Sequence, residues 1–308
     1  MGGQRMGLTE WALLLALSLV WGGSFFFVEV GLEGLGPYTV VAVRVGLGAL
    51  GLLFFLRLRG LALPESRADW RALLVMGLLN NAIPFSLIAW GQVRIDSGLA
   101  SIFNATTPLF TLVVAHLCTR DERLTPLKSL GVLLGVLGVA VLIGPDLGEG
   151  MGGSFWGQMA VLGAACSYAF ASVWGRRLRH LSPAVAATGM LLCSSAVMVP
   201  FALLVEPPPA VLPSPSVLAA LVGLGLLSTS LAYLLYFEIL ARAGAVNLML
   251  VTFLIPPSAL ALGVLFLHEP LEMSALLGLA LIFAGLAAVQ AQGRVAAAKP
   301  RGTPREKR

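Results

Sequence analysis

Apolar residues gather in ten runs, at about 8–29, 38–57, 70–92, 98–117, 127–143, 154–174, 184–205, 216–237, 246–267 and 273–292, with short polar breaks between them. Each is close to the roughly 20 residues a helix needs to cross a hydrocarbon core about 30 Å thick. The pattern predicts an all-α integral membrane protein of ten transmembrane helices. Loops this short leave no room for a separate catalytic domain. The first run is long for a signal-peptide core and lacks a clear small-x-small cleavage site, so it reads as a retained anchor.

Composition agrees with a membrane solvent: 58% of residues are hydrophobic, 11% are charged, and the mean hydropathy is +0.91. A net charge of +5 would suit nucleic acid, but the placement of the charges speaks for topology instead. With the N-terminus in the cytoplasm, all of the 20 Lys and Arg except Arg44 and Arg94 fall in alternate, same-side segments. The opposite loops carry Glu33, Asp146, Glu149, Glu206 and Glu272. Positive-inside bias therefore places both termini in the cytoplasm and makes the number of spans even. Cys118, Cys166 and Cys193 have neither metal-ligand spacing nor an obvious pairing, so they read as small packing residues, and no metal or cofactor is expected. Residues 294–308 read as a disordered basic tail on anionic lipid.

The chain also repeats itself. Shifted by 147 residues, 122–139 meets 269–286 with six identities, among them Glu122 on Glu269, Gly131 on Gly278 and Gly138 on Gly285. Nearby shifts bring Ser97-Gly98 onto Ala243-Gly244 and Trp11 onto Trp156. The halves are then 1–148 and 149–293, five spans each. Five is odd, so the second copy must sit upside down, and an inverted pair encloses a midplane site that it can expose to either side. The fourth span of each half carries a mid-span proline, Pro108 or Pro256-Pro257, which removes a backbone donor and predicts paired kinks. Gly131-x-x-x-Gly135 is a small-xxx-small pattern, read as packing between the repeats of a monomer.

Trp21-Gly22-Gly23-Ser24-Phe25, Arg44, Pro108 followed by Glu122-Arg-Leu, and Pro256 followed by His268-Glu269-Pro-Leu resemble the EamA-type branch of the drug/metabolite transporter superfamily. The resemblance runs from about residue 8 to 292 and is nearest to the bacterial aromatic amino-acid exporters. It implies an inner-membrane carrier exporting amino acids and related metabolites. Export of other metabolites, or multidrug efflux, is the alternative.

Mid-span polar groups are costly against lipid and so face the interior. This picks out Asn80, Asn81, Asn104, Thr107, Ser228, Thr229 and Thr252 as substrate-binding candidates able to serve a zwitterion, with Trp21, Phe25, Trp90, Tyr168 and Tyr233 offering flat apolar surface. Arg44, the one basic residue well inside a span, could hold a substrate carboxylate, snorkel, or pair with Glu29 or Glu33. Because the resemblance includes an arginine here whatever the cargo, a structural or gating role is preferred. Glu122 and Glu269 lie at span ends and read as helix-end organisers, with Pro108 and Pro256 as gating positions. No carboxylate sits mid-membrane, which leaves proton coupling and facilitated export both open. The sequence has no phosphate-binding loop and no nucleophile or metal motif on a span, and His116, His180 and His268 all lie near span ends, so an enzyme is not expected.

Overall fold

A computed structural model describes residues 6–119, 124–148, 152–209 and 211–298, and among these there is no β-strand. The helices are α1 (Leu8–Leu32), α2 (Pro37–Leu58), α3 (Arg67–Gly77), α4 (Ile83–Gln92), α5 (Ser97–Asn104), α6 (Thr107–Cys118) and α7 (Pro126–Gly148). They continue as α8 (Gly153–Trp174), α9 (Pro183–Val205), α10 (Pro215–Val222), α11 (Ala232–Leu248), α12 (Val251–Phe266) and α13 (Met273–Ala298). Two π-helical turns, Leu78–Ala82 and Gly223–Leu231, splice α3 to α4 and α10 to α11. Counting these splices and α5–α6 as continuous rods, eight stretches among the described residues are long and apolar enough to cross a membrane. α12 is a shorter apolar helix of 16 residues. α8 has 22 residues but carries Ser154, Gln158, Ser167 and Ser172, and it is not among the eight.

Helix boundaries depart from the hydropathy pattern, most of all in the second half. The rod Pro215–Gly244 runs on past 237, where its apolar run ends, and the next long helix begins only at Val251. Gly244 has φ 77° and ψ 167°, a conformation that costs glycine little, so the chain turns there, near the end of the polar break rather than at its start. At the C-terminal end α13 continues to Ala298, taking up the first residues of the expected tail; residues 299–308 lie outside those described.

The prolines act differently in the two halves. Between α5 and α6 the helix breaks at Ala105-Thr106, and Pro108 starts the new helix. Pro108 has no N–H for the Asn104 carbonyl, and the Thr107 hydroxyl donates to that oxygen at 2.7 Å instead. Thr106 does the same for Phe103 at 2.6 Å. In the second half α12 passes through Pro256-Pro257 unbroken, and the break lies earlier, at Met249-Leu250. There the Thr252 hydroxyl covers the Met249 carbonyl at 2.7 Å.

Packing joins early helices to late ones: α7 to α13, α2 to α9, α1 to α12 and α4 to α8. The closest pair is α7 with α13. A Cβ on Gly131 would lie 2.6 Å from the Gly285 carbonyl, and one on Gly138 2.8 Å from that of Gly278, so only glycine allows this approach. The outer side of this pair is studded with exposed Leu130, Leu133, Val136, Leu137 and Leu277, a face fit for lipid.

Candidate functional site

The two π-helical turns hold the polar core of the molecule. A π turn adds one residue to a helical turn and leaves backbone groups without their usual partners, and such turns gather at functional sites. The first carries Asn80 and Asn81, the second Ser228, Thr229 and Ser230. Their side chains both mend the backbone and bind the helices together. Thr229 donates to the Leu224 carbonyl (2.9 Å), Ser228 to Val20 of α1 (2.7 Å) and Ser230 to Gly48 of α2 (3.0 Å), while Ser167 of α8 donates to Leu79 (2.7 Å). Asn80 Nδ2 donates to Tyr233 Oη at 3.1 Å, and that hydroxyl donates on to Asn81 Oδ1 at 3.3 Å. Asn81 Nδ2 then reaches Ser194 on α9 at 3.2 Å.

Against this core lies a cavity of about 740 Å³. Of the sequence candidates, Trp21, Phe25, Asn80, Asn104, Thr107, Tyr168, Ser228, Thr229, Tyr233 and Thr252 line it, together with Arg44 and Pro108. Two candidates do not. Asn81 is fully buried behind the wall, its amide spent on Ser194. Trp90 lies beyond the cavity, its ring covered by the Arg94 guanidinium at 3.6 Å. Pro256 also stays out of the lining, and Glu122 lies outside the described residues.

Among the described residues, the cavity lining reaches one face of the molecule. At that end its wall includes Leu178, Arg179, Leu181 and Pro183 from the connection between α8 and α9. His180 of this connection meets Asp69 of α3 at 2.8 Å, so the mouth shares a face with Arg67 and Arg71. At the other end none of the described lining residues comes from segments 33–36, 93–96, 206–214 or 267–272. That end is shut by carboxylates seated on helix N-termini. α2 starts with Gly36-Pro37 and has no side-chain cap of its own, and Glu206 supplies one, accepting from Tyr38 N–H (3.0 Å), Thr39 N–H (2.7 Å) and the Thr39 hydroxyl (2.6 Å). α5 likewise lacks a side-chain cap from Asp96, and Glu269 accepts from Ser97 N–H at 2.8 Å and Gly98 N–H at 3.0 Å. Burial, with the charges of Glu269 and Glu272 behind it, raises the pKa of the neighbouring Asp96. Beneath these latches Gln92 Nε2 donates to the Phe25 carbonyl (2.9 Å) and to Glu29 (3.0 Å), closing the floor.

Arg44 is 7% exposed, a cation inside a span. Neither Glu29 nor Glu33 reaches it, and among the described residues it forms no salt bridge. Its Nε donates to Thr229 Oγ1 at 3.3 Å, and the guanidinium lies 3.6 Å over the Phe85 ring. Sequence reasoning missed Gln92, and it counted Glu206 only as an outer-loop charge. The glycine at the α2 N-cap was the signal for the latter, since a helix start without a side-chain cap needs an acceptor from elsewhere.

An EamA-like transporter family model matches residues 9–144 and, a second time, 155–290. The chain belongs to the EamA-like transporter family. It is thus a multi-pass membrane transporter with a small-molecule cargo. Among relatives of this EamA-like transporter, the "uncharacterized transporter YoaV" of Bacillus subtilis is 24% identical over 274 residues, 89% of this chain and 94% of that one. Protein PecM of Dickeya dadantii is 28% identical over 273 residues, covering 88% and 89%. The "uncharacterized inner membrane transporter YedA" of Escherichia coli is 33% identical over 175 residues, about half of each chain (56% and 55%). A crystal structure covering 94% of this chain and 98% of its own superposes with a TM-score of 0.67 at 21% identity, a likeness of fold.

Within the wall, Tyr233→Phe leaves the Asn80 amide without its nearest acceptor and Asn81 Oδ1 with only the longer bond from Asn80 at 3.4 Å. Losing this buried link costs about 1–2 kcal/mol. We expect substrate affinity to fall roughly five- to thirtyfold, read as a rise in half-saturating concentration with the protein still folded.

Proposed function

We propose that this EamA-like transporter exports amino acids, above all large and aromatic ones, from the bacterial cytoplasm across the inner membrane by alternating access. One observation carries the reading: a cavity of about 740 Å³ opens toward the arginine-rich face and is latched shut at the other. By positive-inside bias the open face is cytoplasmic, so the molecule stands ready to load cargo from inside. The second match of the family model, over 155–290, supports two five-span repeats, and a ten-span chain with both termini in the cytoplasm makes the second repeat inverted. Exchange of conformation between the halves then turns the inward-open form outward.

The lining supports the cargo class. Trp21, Phe25, Tyr168, Tyr236 and Phe237 give it an aromatic surface of a size for large side chains. Among the described residues no carboxylate lines it, whereas Arg44 does, and that disfavours the cationic-drug alternative. Liposomes containing only this protein, loaded on one side with labelled phenylalanine, tyrosine or tryptophan, test the reading. Saturable flux with counterflow is expected. Flux confined to non-amino-acid metabolites would reassign the cargo. An imposed pH gradient in the same vesicles separates proton-coupled from facilitated export.

A further inference from the structure

Three polar groups in the cavity wall hold unused hydrogen-bonding capacity, and they are of opposite kinds. Arg44 spends one N–H on Thr229 and its flat face on Phe85, and neither interaction uses the terminal nitrogens. A guanidinium presents five N–H donors in a fork suited to a carboxylate. Buried charges are retained in membrane proteins when paired or when used, and no described carboxylate pairs with this one. Gln92, 3% exposed, commits its amide nitrogen to Phe25 and Glu29, yet its Oε1 has no partner. Asn104 Oδ1, at the break between α5 and α6, is likewise buried and unpartnered. All three residues line the same cavity. Buried acceptors without donors are rare and ask for an explanation.

We propose that these groups read the two ends of a zwitterion: Arg44 seats the carboxylate of the solute, and the amide oxygens of Asn104 and Gln92 accept from its ammonium. The assignment rests on the amino-acid reading above and sharpens it, since it requires both charged ends on one substrate. Gln92 also ties the ammonium end to the floor of the cavity, because its other amide atom holds Glu29 and Phe25 together there.

The test is a ligand series on purified full-length protein in detergent, where membrane permeation of the probes does not intervene. L-phenylalanine, phenethylamine (no carboxylate) and 3-phenylpropionate (no ammonium) are compared by thermal stabilisation over a concentration range. We expect phenylalanine to bind at least about tenfold tighter than either analogue, because each analogue leaves buried polar groups unanswered. In Arg44→Gln the preference over phenethylamine collapses to about twofold, and in Asn104→Leu the preference over 3-phenylpropionate does so. The series on the unaltered protein is decisive even where a variant fails to fold. Equal binding of phenylalanine and phenethylamine overturns the carboxylate seat and leaves amino-acid export standing. Equal binding of phenylalanine and 3-phenylpropionate overturns the ammonium seat. Binding of 3-phenylpropionate alone, lost in Arg44→Gln, overturns the amino-acid reading while keeping Arg44 as a carboxylate anchor. A response to none of the three overturns both.

Discussion

Glu269→Ala opens the face that is now shut. The carboxylate accepts two backbone N–H groups at the start of α5, 2.8 and 3.0 Å away, and those donors belong to a helix with no side-chain cap of its own. A cap contributes about 0.5–2 kcal/mol, and a negative charge at a helix N-terminus adds about 0.3–1 kcal/mol. Taking about 2 kcal/mol together, the balance between inward-open and outward-open forms shifts roughly thirtyfold. With Cys118, Cys166 and Cys193 replaced, a cysteine introduced at Ser101 in the cavity wall reports the change. It should become accessible to an impermeant reagent from the outer face in Glu269→Ala, while exchange transport slows about tenfold. Glu269→Gln keeps acceptor capacity without charge and should fall between. Unchanged outer labelling would remove the latch role and leave Glu269 as a loop residue.

The second large effect falls on assembly. In Gly131→Val the new Cβ meets the Gly285 carbonyl at 2.6 Å, and in Gly138→Val the Gly278 carbonyl at 2.8 Å. Both obstacles are backbone, so neither can swing aside, and α7 and α13 must separate along a seam that has no other support on its lipid side. Overpacking of this kind costs about 1–3 kcal/mol. We expect a drop of several degrees in the melting temperature of the detergent-solubilised protein and a smaller folded fraction on size exclusion. Gly144→Ala, on the same helix with no atom within 4 Å, is the control and should change neither.

How much of this is legible in the sequence depends on the kind of signal each element leaves. That the chain is all-helical and built for a membrane is written in hydropathy, and the close packing of Gly131 and Gly138 on α13 follows from their recurrence. Rod ends are less legible: the break between 237 and 246 is visible, but the helix runs on through it to Gly244 before the chain turns. The π turns are also silent, because Leu78–Ala82 and Gly223–Leu231 read like any other part of a span until the register of their hydrogen bonds is seen. Side-chain direction is the other hidden quantity. Asn80 and Asn81 are equally polar and equally central, yet one meets the cavity and the other turns away to Ser194, since neighbours on a helix point about 100° apart. Prolines mislead for a related reason. Pro108 coincides with a break because Thr106 and Thr107 cover the freed carbonyls, while α12 carries Pro256-Pro257 without breaking.

The α5 latch has a one-sided genetics. Its donors are main-chain N–H groups, which every residue but proline supplies, so the Ser97 side chain lends it no chemistry and is limited only by the space of its fully buried site. At Gly98 the limit is space alone, since a Cβ there would come within 2.7 Å of Leu260. All of the chemical information resides in one codon, that of Glu269. Random mutagenesis should therefore return loss-of-closure alleles concentrated at Glu269, with Ser97 tolerating other small non-proline residues, and suppressors of Glu269 changes arising at new acceptors near the start of α5.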